Sequence, residues 1–174
     1  MIDNQFQIKV SNLHWLPNTT EENDLCAHGN VFLKIGDEIV CDETNLEFTV
    51  SATALYLLRS LTENYSKDDY GSQFIPCCGF FTYFDKNDRP VISGCPSGID
   101  WKIQHIDENI VKHISEKGTE ATISMDNYQK QVFEFADKVE KFYKESKPKI
   151  IPDDDFERGA YNEIWEEWRN IRNR

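Results

Sequence analysis

The sequence lacks any long apolar stretch, and this absence limits where the protein is expected to act. No run of apolar residues approaches the roughly 18 that a bilayer crossing requires. The N-terminal segment MIDNQFQIKV has neither the basic start nor the apolar stretch of a secretory signal. Five cysteines make an odd number, unlike the even framework of a small secreted domain. We therefore expect a cytoplasmic protein with reduced thiols.

Short motifs for nucleotide or calcium binding are missing as well. The stretch GCPSG, residues 94–98, lacks the Gly-Lys-Ser/Thr ending of a phosphate-binding loop, and no helix is predicted after it. The stretches DKNDRP and DNYQKQ do not place ligands at alternate positions with a glycine and a closing glutamate, as a calcium loop requires. Nucleotide hydrolysis and calcium-loop binding therefore have no support in the sequence.

Cysteine and histidine are present, but not with the spacing of a zinc knuckle, in which paired ligands are two to four residues apart. The segment CAH supplies Cys26 and His28, and Cys77, Cys78 and Cys95 lie further along. Because consecutive strand residues point to opposite faces, we expect Cys77 and Cys78 to meet different environments and at most one of them to join a site, unless the strand bulges there. Buried thiols are the favoured interpretation, with a zinc site of Cys26, His28, Cys77 and Cys95 as the alternative. A thiol nucleophile would need a nearby base, and no local signature of cysteine hydrolases surrounds these residues.

Acidic residues outnumber basic ones, 31 against 19, for a net charge of −12. The excess is concentrated in residues 1–70, which hold 12 acids and 4 bases, and the segment from Asp37 to Glu47 has no Lys or Arg. Such a surface repels phosphate backbones and anionic lipid, so we expect no direct nucleic-acid or membrane binding. It attracts a basic protein. The alternative is a solvated surface that serves solubility.

The loop GCPSGIDW, residues 94–101, is a second candidate for partner contact. Its glycines and proline permit tight turning, so that Asp100 and Trp101 present a carboxylate and an indole together. The alternative is a turn in which Asp100 bonds the local backbone while Trp101 enters the core. The predicted partner-binding residues are Asp37, Glu38, Asp42, Glu43, Glu47, Asp100 and Trp101.

Hydrophobic periodicity predicts an α+β fold. Apolar residues alternate over residues 5–15, hairpins are indicated at residues 31–42 and 73–95, and turn spacing predicts a three-stranded meander over residues 98–125. Helical spacing follows a candidate N-cap at Thr49 or Ser51 and another at Ser124 or Asp126. A last helix is predicted after the prolines at 148 and 152, with Asp153 to Asp155 at its start. We predict a mostly antiparallel sheet of about six to eight strands covered by about three helices, two of them C-terminal. Residues 1–174 are predicted to form one domain, with the helical part 125–174 docked on the sheet.

The predicted final helix carries Trp165 and Trp168 on one stripe. Large aromatic side chains are favoured at interfaces and are equally common in cores. The stripe therefore predicts either a homodimer contact or core packing.

Four stretches, LCAHG, PCCGFF, GCPSGIDW and NEIWEEWRN, together resemble a group of small uncharacterised bacterial proteins. This resemblance spans most of the chain and implies no activity and no site residues. In size, acidity and lack of catalytic motifs the chain is also similar to immunity proteins, the cytosolic inhibitors that bacteria keep against toxins.

Three hypotheses about function follow. The favoured one is an acidic cytosolic binding protein, namely an immunity protein or antitoxin that neutralises a basic toxin. The second is a small enzyme or zinc-binding protein with a pocket near Cys26, His28, Cys77 or Cys78, and Asp100. The third is a homo-oligomeric module that associates through Trp165 and Trp168.

Overall fold

The computed structural model describes residues 5–44, 47–67, 69–70 and 72–173 of the chain. Within them the chain forms eleven strands and three helices. The strands are β1 (Phe6–His14), β2 (His28–Ile35), β3 (Glu38–Cys41), β4 (Phe48–Thr49), β5 (Ile75–Pro76), β6 (Phe81–Phe84), β7 (Pro90–Ser93), β8 (Gly98–Ile99), β9 (Trp101–His105), β10 (Ile110–Ser115) and β11 (Glu120–Ser124). The helices are α1 (Val50–Arg59), α2 (Met125–Glu145) and α3 (Asp155–Arg172).

The α+β prediction is confirmed, with two of the three helices at the C-terminal end. The strands are more numerous than the six to eight predicted, because β4, β5 and β8 are two-residue pairings that leave no periodic signal. The single-domain prediction stays a prediction, and its ends, residues 1–4 and 174, lie outside the described residues. Among the residues that the structure describes, no helix combines the length and the apolar character that crossing a membrane requires.

In the described part of the chain the strands form four antiparallel groups instead of one sheet. A four-stranded sheet has the order β1-β2-β3, with β4 also paired to β2, and a three-stranded sheet has the order β11-β10-β9. Two short ribbons, β5 with β8 and β6 with β7, complete the set. In β1, Phe6, Ile8 and Val10 are buried at alternate positions, as the period-2 pattern predicts. The hairpin over residues 31–42 and the meander over residues 98–125 are both confirmed.

The outer edge of β1 is covered by a side chain of α2. The Gln131 amide accepts a hydrogen bond from the Ile8 N–H (3.0 Å) and donates one to the Phe6 carbonyl (3.1 Å). A neighbouring strand would pair with these same two backbone groups. One glutamine therefore takes the place of a strand at this point.

Helix α1 is buried along its whole length, whereas its apolar spacing predicts one buried face. It begins after Thr49, at a predicted cap position, and carries no charged side chain before Arg59. Its small side chains, such as Ala52 and Ala54, let other elements approach, and α1 contacts both C-terminal helices as well as β2 and β5. The helix therefore lies inside the protein and does not rest on a single sheet.

The two C-terminal helices begin near the predicted positions, and both pack on α1 as well as on strands. The Ser124 side chain caps α2 by accepting from the Asn127 N–H, and the Asp154 carboxylate caps α3 by accepting from two backbone N–H groups. Helix α2 packs on α1, β1, β10 and β11, and α3 packs on α1, β6 and β7. The buried stripes are Tyr128, Val132, Phe135, Ala136 and Val139 on α2 and Ala160, Tyr161, Ile164 and Trp168 on α3.

A buried charge at the end of α1 joins three elements. Arg59 is 1% exposed, and its guanidinium donates to both carboxylate oxygens of Glu167 on α3, at 2.9 and 2.6 Å. It also donates to the carbonyl of Pro90 at the start of β7, at 2.7 Å, and its Cζ lies 5.6 Å from the centre of the Tyr70 ring. A charge withdrawn from water is tolerated only with such partners, so this pair sets α1, α3 and β7 relative to one another.

We expect Glu167→Ala to lower the free energy of unfolding by about 3 kcal/mol, because it leaves the Arg59 guanidinium buried without a counter-charge. Urea unfolding followed by tryptophan fluorescence measures the change. Glu166→Ala, at the exposed neighbouring position, is the matched control and is expected to stay within about 0.5 kcal/mol of wild type. Equal losses in the two variants contradict the assignment.

Candidate functional site

Three cysteine sulfurs meet where the two short ribbons adjoin. The Sγ atoms of Cys77, Cys78 and Cys95 all lie within 4.8 Å of one another, and those of Cys77 and Cys78 are 3.5 Å apart. Cys78 is exposed and the other two are partly exposed. Among the described residues, no other group of three potential metal ligands lies this close together. We refer to these three residues as the thiol cluster.

An irregular pairing of two chain segments brings the thiols together. Residues 75–84 and 90–99 run antiparallel, through β5 with β8 at one end and β6 with β7 at the other. Between the ribbons, the Cys77 N–H donates to the Ser97 carbonyl (3.2 Å) and the Cys95 N–H donates to the Cys78 carbonyl (3.0 Å). The predicted hairpin over residues 73–95 is thus present but is interrupted at its cysteines.

Glycines on both segments permit this approach. Gly79 has a φ of +90°, and a Cβ placed on it would lie 2.9 Å from the Gly94 Cα. A Cβ on Gly94 would lie 2.9 Å from the Cys78 carbonyl oxygen. Since real Cβ contacts are longer than this, only glycine at these two positions lets Cys78 and Cys95 adjoin.

The prediction that Cys77 and Cys78 meet separate environments is wrong. It assumed an extended strand, but β5 ends at Pro76 and the two cysteines form a bend. A bend removes the alternation of side chains between the two faces of a strand. Both sulfurs therefore lie beside Cys95, instead of at most one.

The pKa values of Cys77 and Cys95 are shifted in opposite directions within the thiol cluster. The pKa of Cys95 is lowered to about 7, chiefly by a hydrogen bond from the Cys77 thiol and further by one from Cys78. The pKa of Cys77 is raised to about 12, first by its hydrogen bond to Cys95 and then by burial. At pH 7 about half of the Cys95 side chains are therefore thiolates, beside a protonated Cys77. The thiolate is the form that binds metal ions and attacks electrophiles.

The other two ligands of the predicted zinc site, Cys26 and His28, lie outside the thiol cluster. Cys26 is buried with its sulfur 3.7 Å from the Ser51 hydroxyl, and burial raises its pKa to about 12. The His28 Nε2 atom lies 3.5 Å from Asp24 Oδ2. The predicted four-ligand set is not assembled, and its two later cysteines group with Cys78 instead.

Asp100 and Trp101 are each 3% exposed, which removes them from the predicted partner-binding surface. Asp100 Oδ1 accepts a hydrogen bond from the Trp101 N–H (3.2 Å). The Trp101 indole donates to Nδ1 of the buried His113 (3.1 Å). The structure therefore agrees with the alternative prediction for this loop, in which Asp100 bonds the local backbone and Trp101 lies in the core.

The acidic segment from Asp37 to Glu47 is mostly exposed, with residues 45 and 46 outside the described residues. Glu38 differs, because its carboxylate accepts from the Ser115 hydroxyl (2.6 Å) and lies 3.2 Å from the Lys117 ammonium. These contacts, the hydroxyl first, hold the pKa of Glu38 below its usual value. The acids that remain exposed are Asp37, Asp42, Glu43 and Glu47.

The two tryptophans of α3 have different surroundings. Trp168 is 1% exposed and belongs to the core, so it is not available to a dimer contact. Trp165 is partly exposed and lines a groove of about 510 Å³, where its ring lies 4.8 Å from that of Tyr143. The predicted homodimer stays a prediction, and on this helix it would depend on Trp165.

No protein-family model, curated protein or solved structure matches the chain. The similarity to immunity proteins therefore stays an expectation, and the site is interpreted from its own chemistry.

The second carboxylate oxygen of Asp100 is buried without a hydrogen bond of ordinary geometry among the described residues. Burial raises the pKa of Asp100 to about 6, and the neighbouring Tyr65 hydroxyl offsets part of that rise. The usual value of this carboxyl is 3.8. A carboxyl with a higher pKa in the folded than in the unfolded chain makes the protein less stable as the pH rises through about 4 to 6.

We expect Asp100→Asn to raise the free energy of unfolding by about 1–3 kcal/mol at pH 7.5 and to remove this pH dependence. The amide keeps an acceptor for the Trp101 N–H and carries no charge. Asp107→Asn changes an exposed carboxylate that also accepts a backbone hydrogen bond (2.8 Å), so it is the control and should retain the wild-type pH slope. Urea unfolding at pH 4.5 and 7.5 measures both. An Asp100→Asn variant no more stable than wild type at pH 7.5 argues against the buried charge.

Proposed function

We propose that the protein binds a thiophilic metal ion, of which Zn²⁺ is the leading candidate, through Cys77, Cys78 and Cys95. The observation that carries this proposal is the convergence of three sulfurs from two chain segments within 4.8 Å. Thiolates that bind zinc at about 2.3 Å in tetrahedral geometry lie about 3.8 Å from one another. The Cys77 and Cys78 sulfurs, 3.5 Å apart, are already near that separation. Small side-chain rotations complete the site.

The donor set selects the class of ion. Three thiolates are soft ligands, which favour Zn²⁺ and Cu⁺ over the oxygen-seeking Ca²⁺ and Mg²⁺. Binding requires the protons of all three thiols to leave, that of Cys77 against its raised pKa, so affinity falls as the pH is lowered. The thiol cluster therefore favours a metal strong enough to displace protons from sulfur.

The number of protein ligands also matters. A closed structural zinc site takes four protein ligands, whereas sites with three leave a position for water or a bound molecule. The thiol cluster supplies three sulfurs and includes an exposed thiol. We therefore propose an exchangeable ion with one coordination position open to solvent, rather than an ion that holds the fold together.

We expect the reduced, metal-free protein to bind one Zn²⁺ per chain in competition with a chromophoric chelator. Cys95→Ser removes one of three ligands and should weaken binding by more than roughly a hundredfold, since changes outside the ligand shell alone cost about 10–100-fold. Cys41→Ser alters a buried thiol outside the cluster and is the matched control, with wild-type affinity expected. Thiolate-to-Co²⁺ charge-transfer absorption in the cobalt-substituted protein reports sulfur ligation directly. Absence of stoichiometric Zn²⁺, or equal affinity in the two variants, rules the proposal out.

We propose a second, separate function for the exposed acids, namely binding of a basic protein in the manner of an immunity protein that neutralises a toxin. The observation that favours it is the exposure of four carboxylates in a segment without Lys or Arg. Complementary charge at such a surface raises the association rate and the specificity more than the affinity. This surface is distinct from the thiol cluster, so each proposal stands without the other.

Neutralising the four exposed acids tests this second function. We expect affinity capture from the native lysate to recover one stoichiometric basic protein, inhibited when bound, with an association rate that falls steeply with salt. The neutralised variant should lose this capture, whereas a control variant with four other exposed acids neutralised should keep it. Equal capture by both variants contradicts the proposal. The test variant is Asp37→Asn, Asp42→Asn, Glu43→Gln and Glu47→Gln, and the control is Asp107→Asn, Glu108→Gln, Glu163→Gln and Glu166→Gln.

A further inference from the structure

We propose that the groove between α2 and α3 binds a small planar aromatic acid, such as an aryl carboxylate. The groove has a volume of about 510 Å³ and is bounded by the two helices and by the segment that follows α2. This volume lies within the range of small-molecule sites, which also occur between packed helices. The groove shares no residue with the thiol cluster or with the exposed acidic segment, so the proposal is independent of both proposed functions.

Three aromatic side chains form the apolar part of the groove, and the fold fixes their positions. The partly exposed Trp165 ring lies edge to face against Tyr143, at 4.8 Å between centroids, and against Tyr161, at 6.4 Å. The Tyr143 hydroxyl donates to the Leu25 carbonyl (2.7 Å) and accepts from the Ala27 N–H (3.1 Å). Because its neighbours are anchored in this way, Trp165 presents its open surface without rearrangement, and a flat aromatic ring can pack on it.

The charges around the groove favour an anion, although the whole chain carries a net charge of −12. The lining includes three cations and two acids, namely Lys144, Lys149, Arg169, Glu140 and Glu166. Lys144 is paired with Glu140 at 2.9 Å, and the Lys149 ammonium lies 3.1 Å from the centre of the Trp15 ring. Within the described part of the chain, the Arg169 side chain makes no ion pair and no hydrogen bond. A carboxylate would therefore gain an unpaired guanidinium as its partner.

A buried hydrogen-bond donor indicates the end of the groove at which the acid group would lie. A second cavity, of about 410 Å³, adjoins the groove, because Glu140, Lys144 and Arg169 line both. Trp168 lines this second cavity, and its indole N–H is buried without an acceptor among the described residues. A donor left unpaired is costly and favours an accepting or negative group nearby. The carboxylate would therefore lie toward Arg169 and Trp168, with the aromatic ring over Trp165.

The competing occupant of the groove is a second copy of the chain, docked through Trp165. Two copies that each carry a net charge of −12 repel one another, which disfavours this contact. Light scattering of the free protein should therefore give the mass of a monomer. A dimer that Trp165→Ala dissociates, and that binds no aromatic acid, overturns the proposal.

Two probes with the same ring system and opposite charge test the class of ligand. We expect calorimetric titration at pH 7.5 to show one site per chain for 2-naphthoate. Binding of 2-naphthylmethylamine, which is cationic, should be at least about tenfold weaker, because the amine cannot pair with Arg169. Failure to bind 2-naphthoate, or equal affinity for the two probes, overturns the proposal.

Single variants identify the charge that selects the acid. Arg169→Gln should weaken 2-naphthoate by at least about tenfold and leave the affinity for the amine no lower than in wild type. Lys138→Gln removes one positive charge from an exposed position on α2 outside both cavities, so it is the matched control and should bind 2-naphthoate as wild type does. Both positions are exposed, so both variants should unfold at the wild-type urea concentration. Equal affinity of the two variants for 2-naphthoate removes Arg169 from the site and contradicts the proposal.

The indole N–H signals of the four tryptophans locate the bound probe. When 2-naphthoate is added to ¹⁵N-labelled protein, the signals of Trp165 and Trp168 should shift. The Trp101 signal is the internal control, because this indole donates to His113 and its residue lines a different cavity. A shift of Trp101 without shifts of Trp165 and Trp168 places the probe elsewhere and overturns the inference.

Discussion

The bidentate contact between Arg59 and Glu167 is the constraint on which the rest of the structure depends. Helix α1 is buried on all sides and carries its one charge at its last residue, so the fold must bring a carboxylate and a carbonyl to that point. Glu167 of α3 supplies the carboxylate, and Pro90 of β7 supplies the carbonyl. Since β7 ends at Ser93, two residues before Cys95, the same contact that seats the final helix also positions one side of the thiol cluster.

Long elements with local signals were predictable. Helices α2 and α3 have an apolar stripe and a capping side chain at Ser124 or Asp154, and the meander of β9 to β11 has regularly spaced turns, so their signals lie within each segment. The burial of α1 was not predictable in the same way, because its neighbours are distant in sequence. Two-residue strands were missed because they consist of hydrogen bonds made by the tertiary fold and have no pattern of their own.

Sequence analysis identified the cysteines of the candidate site but did not predict which of them lie together. Cys77 and Cys95 were proposed as ligands, but strand alternation wrongly separated Cys78 from them. Cys26 and His28 were included in the predicted zinc site because they are close in sequence. In the fold, the Cys26 sulfur lies beside the Ser51 hydroxyl and the His28 ring lies beside Asp24. The informative signal was the glycine beside the cysteines in both PCCG and GCPSG. Paired glycines indicate backbone contact, and contact between two cysteine-bearing segments brings their thiols together.

The Gln131 amide on the edge of β1 has a consequence for how copies of this chain meet one another. Exposed edge strands recruit strands from other molecules, and proteins protect such edges with side chains or covering elements. By occupying the Ile8 N–H and the Phe6 carbonyl, Gln131 removes two adjacent points at which a foreign strand would begin to pair. Docking of α2 therefore does more than bury an apolar stripe, because it also protects this edge against intermolecular strand pairing and aggregation.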